Sequence, residues 1–208
     1  MDRKMNRKNI ICNIVAAGLI STLSLIAQAA ETLPVYDDIG GDFSARSTLD
    51  RTISLSDYRD KAVLVFFGYT SCQDICPATM GHLRSLMSKL GPASDQVQVL
   101  FVTVDPETDT AEHLKEYLAR FDSRFVGVTG TLAEITSIAE RYLVKHDPSH
   151  DGKVTTAHHK AKTFTDQSFL FAHSQQIYLL DGVGRTRAIF YTGSPLAEME
   201  TAVRSLLN

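Results

Sequence analysis

Six consecutive apolar residues, Ala62-Val63-Leu64-Val65-Phe66-Phe67, run without a polar interruption and stop at Gly68. A stretch this short, rich in β-branched and aromatic residues, reads as a buried strand. Directly behind it stands Gly68-Tyr69-Thr70-Ser71-Cys72-Gln73-Asp74-Ile75-Cys76-Pro77, followed by Met80, Leu83, Leu86, Met87 and Leu90 at helical spacing. The sequence thus predicts a strand, a short loop and a helix N-terminus carrying two thiols. Pro77 suits the first helical position, because its missing N–H would have no partner there. Cys76 then falls at a helix start, where the positive dipole end and free N–H groups favour thiolate over thiol. Thiolates are both nucleophiles and soft metal ligands.

The compartment narrows the choice. Arg3, Lys4, Arg7 and Lys8 precede an apolar stretch from Ile10 to Ala27, and Ala27-Gln28-Ala29 is a small-x-small pattern. Residues 1–29 therefore read as a signal peptide or membrane anchor, and residues 30–208 as one exported domain, periplasmic and either soluble or tethered to the cytoplasmic membrane. The whole chain has a formal net charge of −3, and the targeting segment holds four basic residues against one acidic. The remainder is more acidic still, which speaks against nucleic acid as a partner. Cys12 lies in the targeting segment, so the domain owns just Cys72 and Cys76. A bridge between them would close so short a loop that it would restrain the unfolded chain little. A structural staple is a poor reason for the pair.

Further elements follow in alternation. Glu31–Asp60 reads as a lead-in hairpin, with faint alternation around Thr52–Leu55. Val97–Val104 is a second central strand, and Leu114, Tyr117, Leu118 and Phe121 mark a helix with Asp109 and Glu112 spaced as a capping pair. Phe125–Val128 is a short strand. Thr131 and Glu134 form another capping pair ahead of Leu132, Ile135, Ile138, Ala139 and Tyr142. Residues 145–168 are polar, His-rich and aperiodic, a long excursion. Phe169–Phe171, Ile177–Leu180 and Thr186–Tyr191 read as strands, the last two joined by a turn at Asp181-Gly182-Val183-Gly184. Ser194-Pro195 opens a final helix facing inward through Leu196, Met199, Val203 and Leu206. This order predicts an α/β class, a thioredoxin-like fold with a central mixed sheet flanked by helices. In such sheets chemistry gathers at the carboxyl ends of the central strands, where Cys72–Cys76 and Asp105-Pro106-Glu107-Thr108-Asp109 both leave.

His173, just before the strand Ile177–Leu180, adds an imidazole to two thiolates, a compact soft set for copper as Cu(I) or Cu(II). The same fold also hosts disulfide exchange. Thioredoxin-like oxidoreductases, however, use Cys-x-x-Cys and carry a proline just before the strand entering the hairpin. This chain has one residue more between its thiols and no proline between Pro148 and Pro195. A peroxidase would need Thr and Arg around the attacking thiol. Thr70 and Thr79 are near, but the first arginine after the pair is Arg84.

Three segments together resemble the Sco/SenC family: Phe66 to Cys72 with Cys76-Pro77; Val104-Asp105-Pro106-Glu107-Thr108-Asp109-Thr110; and His173-Ser174 ahead of Ile177-Tyr178-Leu179-Leu180-Asp181. The resemblance runs from about Gly41 to the C-terminus. It implies a thioredoxin-like copper-binding protein that assists assembly of the dinuclear copper centre of cytochrome c oxidase. It implies Cys72, Cys76 and His173 as copper ligands, with Asp105 in support. The implied partners are the copper-site subunit of the oxidase or another cuproprotein, and a thiol reductant. The implied role is a copper chaperone more than an enzyme. The alternative is a thiol–disulfide reductase, for which Cys72 and Cys76 are the redox-active pair. Two positions depart from the family pattern: Gln73 where a proline is frequent, and Ala172 where an aspartate commonly precedes the ligand histidine. Such an aspartate would orient the ring from behind.

Elsewhere blander readings suffice. His146, His150, His158 and His159 belong to a solvated loop without fixed metal spacing. His82 and His113 read as surface residues, Met80 and Met87 as core fillers. Asp109 reads as structural, a helix cap.

Overall fold

The structure, a computed structural model, describes residues 33–144 and 175–207. The described chain runs β1 (Tyr36–Gly40), β2 (Ser44–Ser47), β3 (Thr52–Ser54), β4 (Ala62–Gly68), α1 (Ile75–Leu90), β5 (Val97–Thr103), α2 (Ala111–Ala119), β6 (Val126–Thr129), α3 (Leu132–Arg141), β7 (Gln176–Leu180), β8 (Arg185–Tyr191) and α4 (Leu196–Leu206). The strands form one mixed sheet in the order β1-β8-β7-β4-β5-β6-β2-β3. β4, β5 and β6 are parallel, whereas β7 runs antiparallel to β4 and β8 antiparallel to β7. This is the mixed sheet flanked by helices that the order of elements predicts.

β4 lies at the centre, and all seven of its residues are buried. Successive side chains alternate between faces of a strand, and the two apolar cores follow that alternation. Ala62, Leu64 and Phe66 pack with Met80, Leu83, Leu86, Leu114, Tyr117, Met199 and Val203 from α1, α2 and α4. Val63, Val65 and Phe67 pack with Ile135, Ile138 and Ala139 of α3 and with Phe43 and Tyr58 from the lead-in. Covering on both faces explains the unbroken apolar run. Met80 and Met87 are core residues, 0% and 2% exposed.

The lead-in does contain a hairpin, β2 with β3, but the segment divides between both edges of the sheet. β1 pairs with β8 at one edge, and β2 pairs with β6 at the other. Two helix starts differ from expectation. α1 begins at Ile75, so Pro77 is its third residue. That position tolerates proline equally well, since none of the first four helical N–H groups has an intrahelical acceptor. α2 is capped by Thr110, whose hydroxyl accepts from the His113 N–H at 3.2 Å, and not by Asp109. The Thr131–Glu134 capping box is formed as expected, with the Thr131 N–H donating to Glu134 Oε2 at 2.7 Å. Among the described residues, no helix is long and apolar enough to cross a membrane. The excursion at 145–168, the strand at Phe169–Phe171 and the targeting segment lie outside the described residues.

Candidate thiol and metal site

β4 delivers the chain to the carboxyl edge of the sheet at Gly68, and the loop to α1 carries both cysteines there. Gly68 is fixed by space, for a Cβ on it would lie 2.8 Å from Cys76 Sγ and 2.8 Å from the Phe66 ring. The sequence shows this glycine as a strand boundary; its tight approach to the sulfur appears only in three dimensions. Cys72 and Cys76 are unbridged, Cys72 half-buried and Cys76 buried at 4% exposure. The Cys76 N–H points at Cys72 Sγ, 3.5 Å away.

This corrects the expected division of labour between the thiols. The sulfur that receives the free N–H groups of the helix start belongs to Cys72, folded over the first turn. Burial alone pushes the Cys72 thiol up, but the N–H groups of Cys76, Asp74 and Ile75, with the Cys76 thiol, bring it below its ordinary value. Cys76 lies inside the core edge, and burial pushes its thiol well above the ordinary range. The Tyr69 N–H opposes that push, while the neighbouring Cys72 and Asp109 charges add to it. One thiol is thus held below its ordinary value beside one held above it.

Tyr69 wraps the pair. Its carbonyl accepts from the Cys72 N–H at 3.3 Å. Burial, the charges of both cysteines and a hydrogen bond to Cys72 raise its phenol. Tyr117 lies beneath, with a buried hydroxyl that has no hydrogen-bond partner among the described residues. Burial, followed by the charges of Cys76, Cys72 and Asp109, pushes that phenol up.

The neighbouring strand end brings Asp105 and Asp109. Asp105 is half-buried; its N–H donates to Thr103 Oγ1 at 3.0 Å, and its carbonyl accepts from the Asp109 N–H at 2.9 Å. Asp109 is fully buried, accepting from the Thr70 N–H at 3.0 Å, from the Thr70 hydroxyl, and from the Thr103 hydroxyl at 2.7 Å. Its position beneath the thiol loop is the feature that sequence reasoning missed. The spacing to Glu112 had suggested a cap, and nothing local reveals a bond to Thr70.

His173 lies outside the described residues, as do Ala172 and the excursion histidines. Among the described residues, no cluster of three or more His, Cys, Asp or Glu side chains is arranged for a metal ion. The site as described is therefore a pair of sulfurs. β7 starts at the same edge, since Ile177 pairs with Phe66. The Thr192 N–H donates to the Gln175 carbonyl at 2.8 Å, and the Thr192 hydroxyl meets that of Thr79, on the turn after Cys76, at 2.5 Å. Residues 175 and 76 are thus tied to one corner of the sheet. His82 joins this corner, with its Nε2 2.8 Å from the Ser194 carbonyl, and is more than a surface residue. His113 is exposed on α2.

The chain as a whole is similar to known proteins. The chain is 29% identical over 174 residues to a SCO2-like protein of Rickettsia conorii, covering 82% of this chain and 80% of the relative. It is 30% identical over 177 residues to the mitochondrial SCO2 homolog of Homo sapiens, covering 81% of this chain and 62% of that protein. The solved structure of Bradyrhizobium japonicum ScoI with copper bound superposes with a TM-score of 0.64 at 29% identity, covering 81% of this chain and 99% of the other. The family model described as SCO1/SenC matches residues 32–208. With a thioredoxin-like sheet that presents two free thiols at its carboxyl edge, the chain belongs to the SCO1/SenC family.

Proposed function

We propose that this chain carries copper as cargo on Cys72, Cys76 and His173 and delivers it to a cuproprotein, the copper-site subunit of cytochrome c oxidase foremost. The observation that carries the reading is the sulfur pair: unbridged, adjacent and at the sheet edge where β7 begins. Two soft donors side by side suit Cu(I), and an added imidazole accommodates Cu(II) as well. The copper-bound Bradyrhizobium ScoI supports the same cargo. His173 precedes Gln175 by two residues, and the Cα atoms of residues so spaced are at most about 7 Å apart. That reach favours an imidazole arriving at the corner where the thiols lie. Asp105 supports the loop from the neighbouring strand.

The chemistry follows from the two sulfurs. Loading releases protons, because the metal binds thiolate. The Cys72 thiol, held below its ordinary value, loses its proton more readily, and Cys76 releases its own to solvent as the ion binds its sulfur. A Cys72–Cys76 disulfide has no thiolate to offer, so a thiol reductant gates loading. Residues 1–29 serve as export signal or anchor, and the domain at 30–208 works in the periplasm, free or tethered to the cytoplasmic membrane.

Titrating the reduced chain with Cu(I), and with Cu(II) while recording thiolate-to-copper charge-transfer absorption, tests the reading. One copper per chain is expected. Cys72→Ser and Cys76→Ser abolish it, and His173→Ala weakens it by more than the roughly 10–100-fold typical of losing an outer-sphere partner. Stoichiometric binding that survives all three substitutions unchanged sinks the ligand set.

The unequal thiols also favour a second reading, a thiol–disulfide reductase. The Cys72 thiolate attacks a target disulfide, forming a mixed disulfide and releasing one target thiolate. Cys76, once deprotonated, attacks Cys72 Sγ and releases the other. Two electrons pass to the target, the Cys72–Cys76 bond forms, and an external thiol restores the pair. In that case His173→Ala keeps full activity, whereas either Cys→Ser variant ends turnover.

A further inference from the structure

Asp109 is 0% exposed, and among the described residues the groups that donate to its carboxylate within hydrogen-bond distance are neutral. They are the Thr70 N–H at 3.0 Å, the Thr70 hydroxyl, and the Thr103 hydroxyl at 2.7 Å. His113 Nδ1 stays 4.0 Å from Oδ1. Burying a carboxylate without a close cation is costly. The helix it precedes has no need of it, because Thr110 caps α2. Its main chain is tied as well: the N–H donates to the Asp105 carbonyl at 2.9 Å, and its own carbonyl accepts from the Thr129 hydroxyl at 2.9 Å. One residue therefore joins the ends of β5 and β6 to the loop after β4.

The loop residue it grips adjoins the thiol site. Thr70 follows Tyr69, whose N–H faces the Cys76 sulfur, whose carbonyl accepts from the Cys72 N–H at 3.3 Å and whose phenol meets Cys72. We propose that Asp109 is the positioning residue of the thiol loop: through Thr70 it presses Tyr69 against both sulfurs and holds them side by side. It touches neither sulfur as a hydrogen-bond partner, so it acts through geometry and not as a ligand. The effect on copper loading rests on the cargo reading above. The effect on thiol exposure does not.

The experiment uses the reduced full chain with two probes, iodoacetamide labelling resolved by cysteine and titration with copper ions alone. Thr70→Val and Asp109→Ala each remove a link. Labelling of Cys76 is expected to rise about tenfold, Cu(I) affinity to fall about tenfold, and the Cu(II) charge-transfer band to move, in proportion to one hydrogen bond. Thr70→Ser restores all three, since it returns the hydroxyl. Asp109→Asn stays within about threefold of wild type. Its amide oxygen takes the Thr70 and Thr103 donors, and its NH₂ donates to a reoriented Thr70 hydroxyl. Should Asp109→Ala fail to fold, Thr70→Val, at a half-buried rim position, carries the test.

Wild-type labelling and an unmoved band in Thr70→Val overturn the proposal. So does Asp109→Asn behaving as badly as Asp109→Ala, which would make the charge and not the geometry the working feature. A wild type that binds no copper while Cys76 labelling still responds to Thr70→Val refutes the cargo reading and upholds the positioning role.

Discussion

Each end of the sheet buries an aspartate, and the two are satisfied in opposite ways. At the thiol end Asp109 rests among hydroxyl and amide donors. At the far end Asp181, 7% exposed, follows β7 and is clamped by cations. Its Oδ2 meets Arg185 Nη2 at 2.9 Å and Arg187 Nη1 at 3.0 Å, and its Oδ1 accepts from the N–H groups of Val183 and Arg185. Arg187 continues to the carbonyls of Leu33 and Pro34 at 2.5 and 2.9 Å. The far end therefore neutralises its charge and uses it to fasten the lead-in. The thiol end holds its carboxylate on neutral donors, and among the described residues no Lys, Arg or His nitrogen lies nearer to it than His113 Nδ1 at 4.0 Å, next to sulfurs whose ionisation the chemistry requires. One carboxylate serves cohesion; the other serves the arrangement of a reactive loop.

The largest test of that contrast is Asp181→Ala. It strands the largely buried Arg187, and breaking such a pair costs about 3 kcal/mol. The lower end of the usual range applies because the Arg185 side chain is 54% exposed. Urea unfolding should show this loss at neutral pH with iodoacetamide labelling of both thiols unchanged. The pH dependence has a definite sign. Burial pushes the Asp181 carboxyl up, but the Arg185 and Arg187 donors and the Val183 N–H hold it below the ordinary carboxylate range. Its stabilisation is therefore complete above the unfolded carboxylate value of about 3.9 and fades as pH falls through the folded value. The gap between wild type and Asp181→Ala closes in acid. Altered thiol labelling in this variant would mean that the two ends are not separate.

A smaller effect comes from the glycines. Gly68→Ala forces its Cβ against Cys76 Sγ and should cost about 1–3 kcal/mol while making Cys76 easier to label. Gly182→Ala at the far end brings a Cβ to 3.0 Å from the Asp60 Cα and should lower stability without touching thiol reactivity. The labelling profiles sharpen the picture further. Alkylation needs thiolate, so the Cys72 rate climbs with pH below the ordinary thiol range, and the Cys76 rate climbs only above it. Coincident profiles would erase the asymmetry between the sulfurs. Smallest of all is the coupling between Asp109→Asn and Asp181→Asn. Their stability effects should add within about 0.5 kcal/mol, as they share no partner.

The sequence made the central strand, the β7–β8 hairpin, α3 and its capping box readable, because each depends on contacts within a few residues. Cys72 and Cys76 were legible for the same reason: spacing, the preceding strand and the following helix are local. What escaped was set by distant partners. Which thiol faces the helix dipole depends on how the loop folds over α1. The role of Asp109 depends on Thr70, thirty-nine residues earlier. The lead-in hairpin was visible, yet its division between two sheet edges reflects pairing with β6 and β8. Asp109 illustrates the limit well, since a cap and a buried tie share the same local signature.

The unequal depth of the sulfurs has a consequence for any partner that docks at this corner. An incoming molecule meets the outer atom first and reaches the inner one only after the first contact is made. Whatever is exchanged there, ion or electrons, changes hands one bond at a time and in a set order. Reversing the order would require turning the first helical turn inside out.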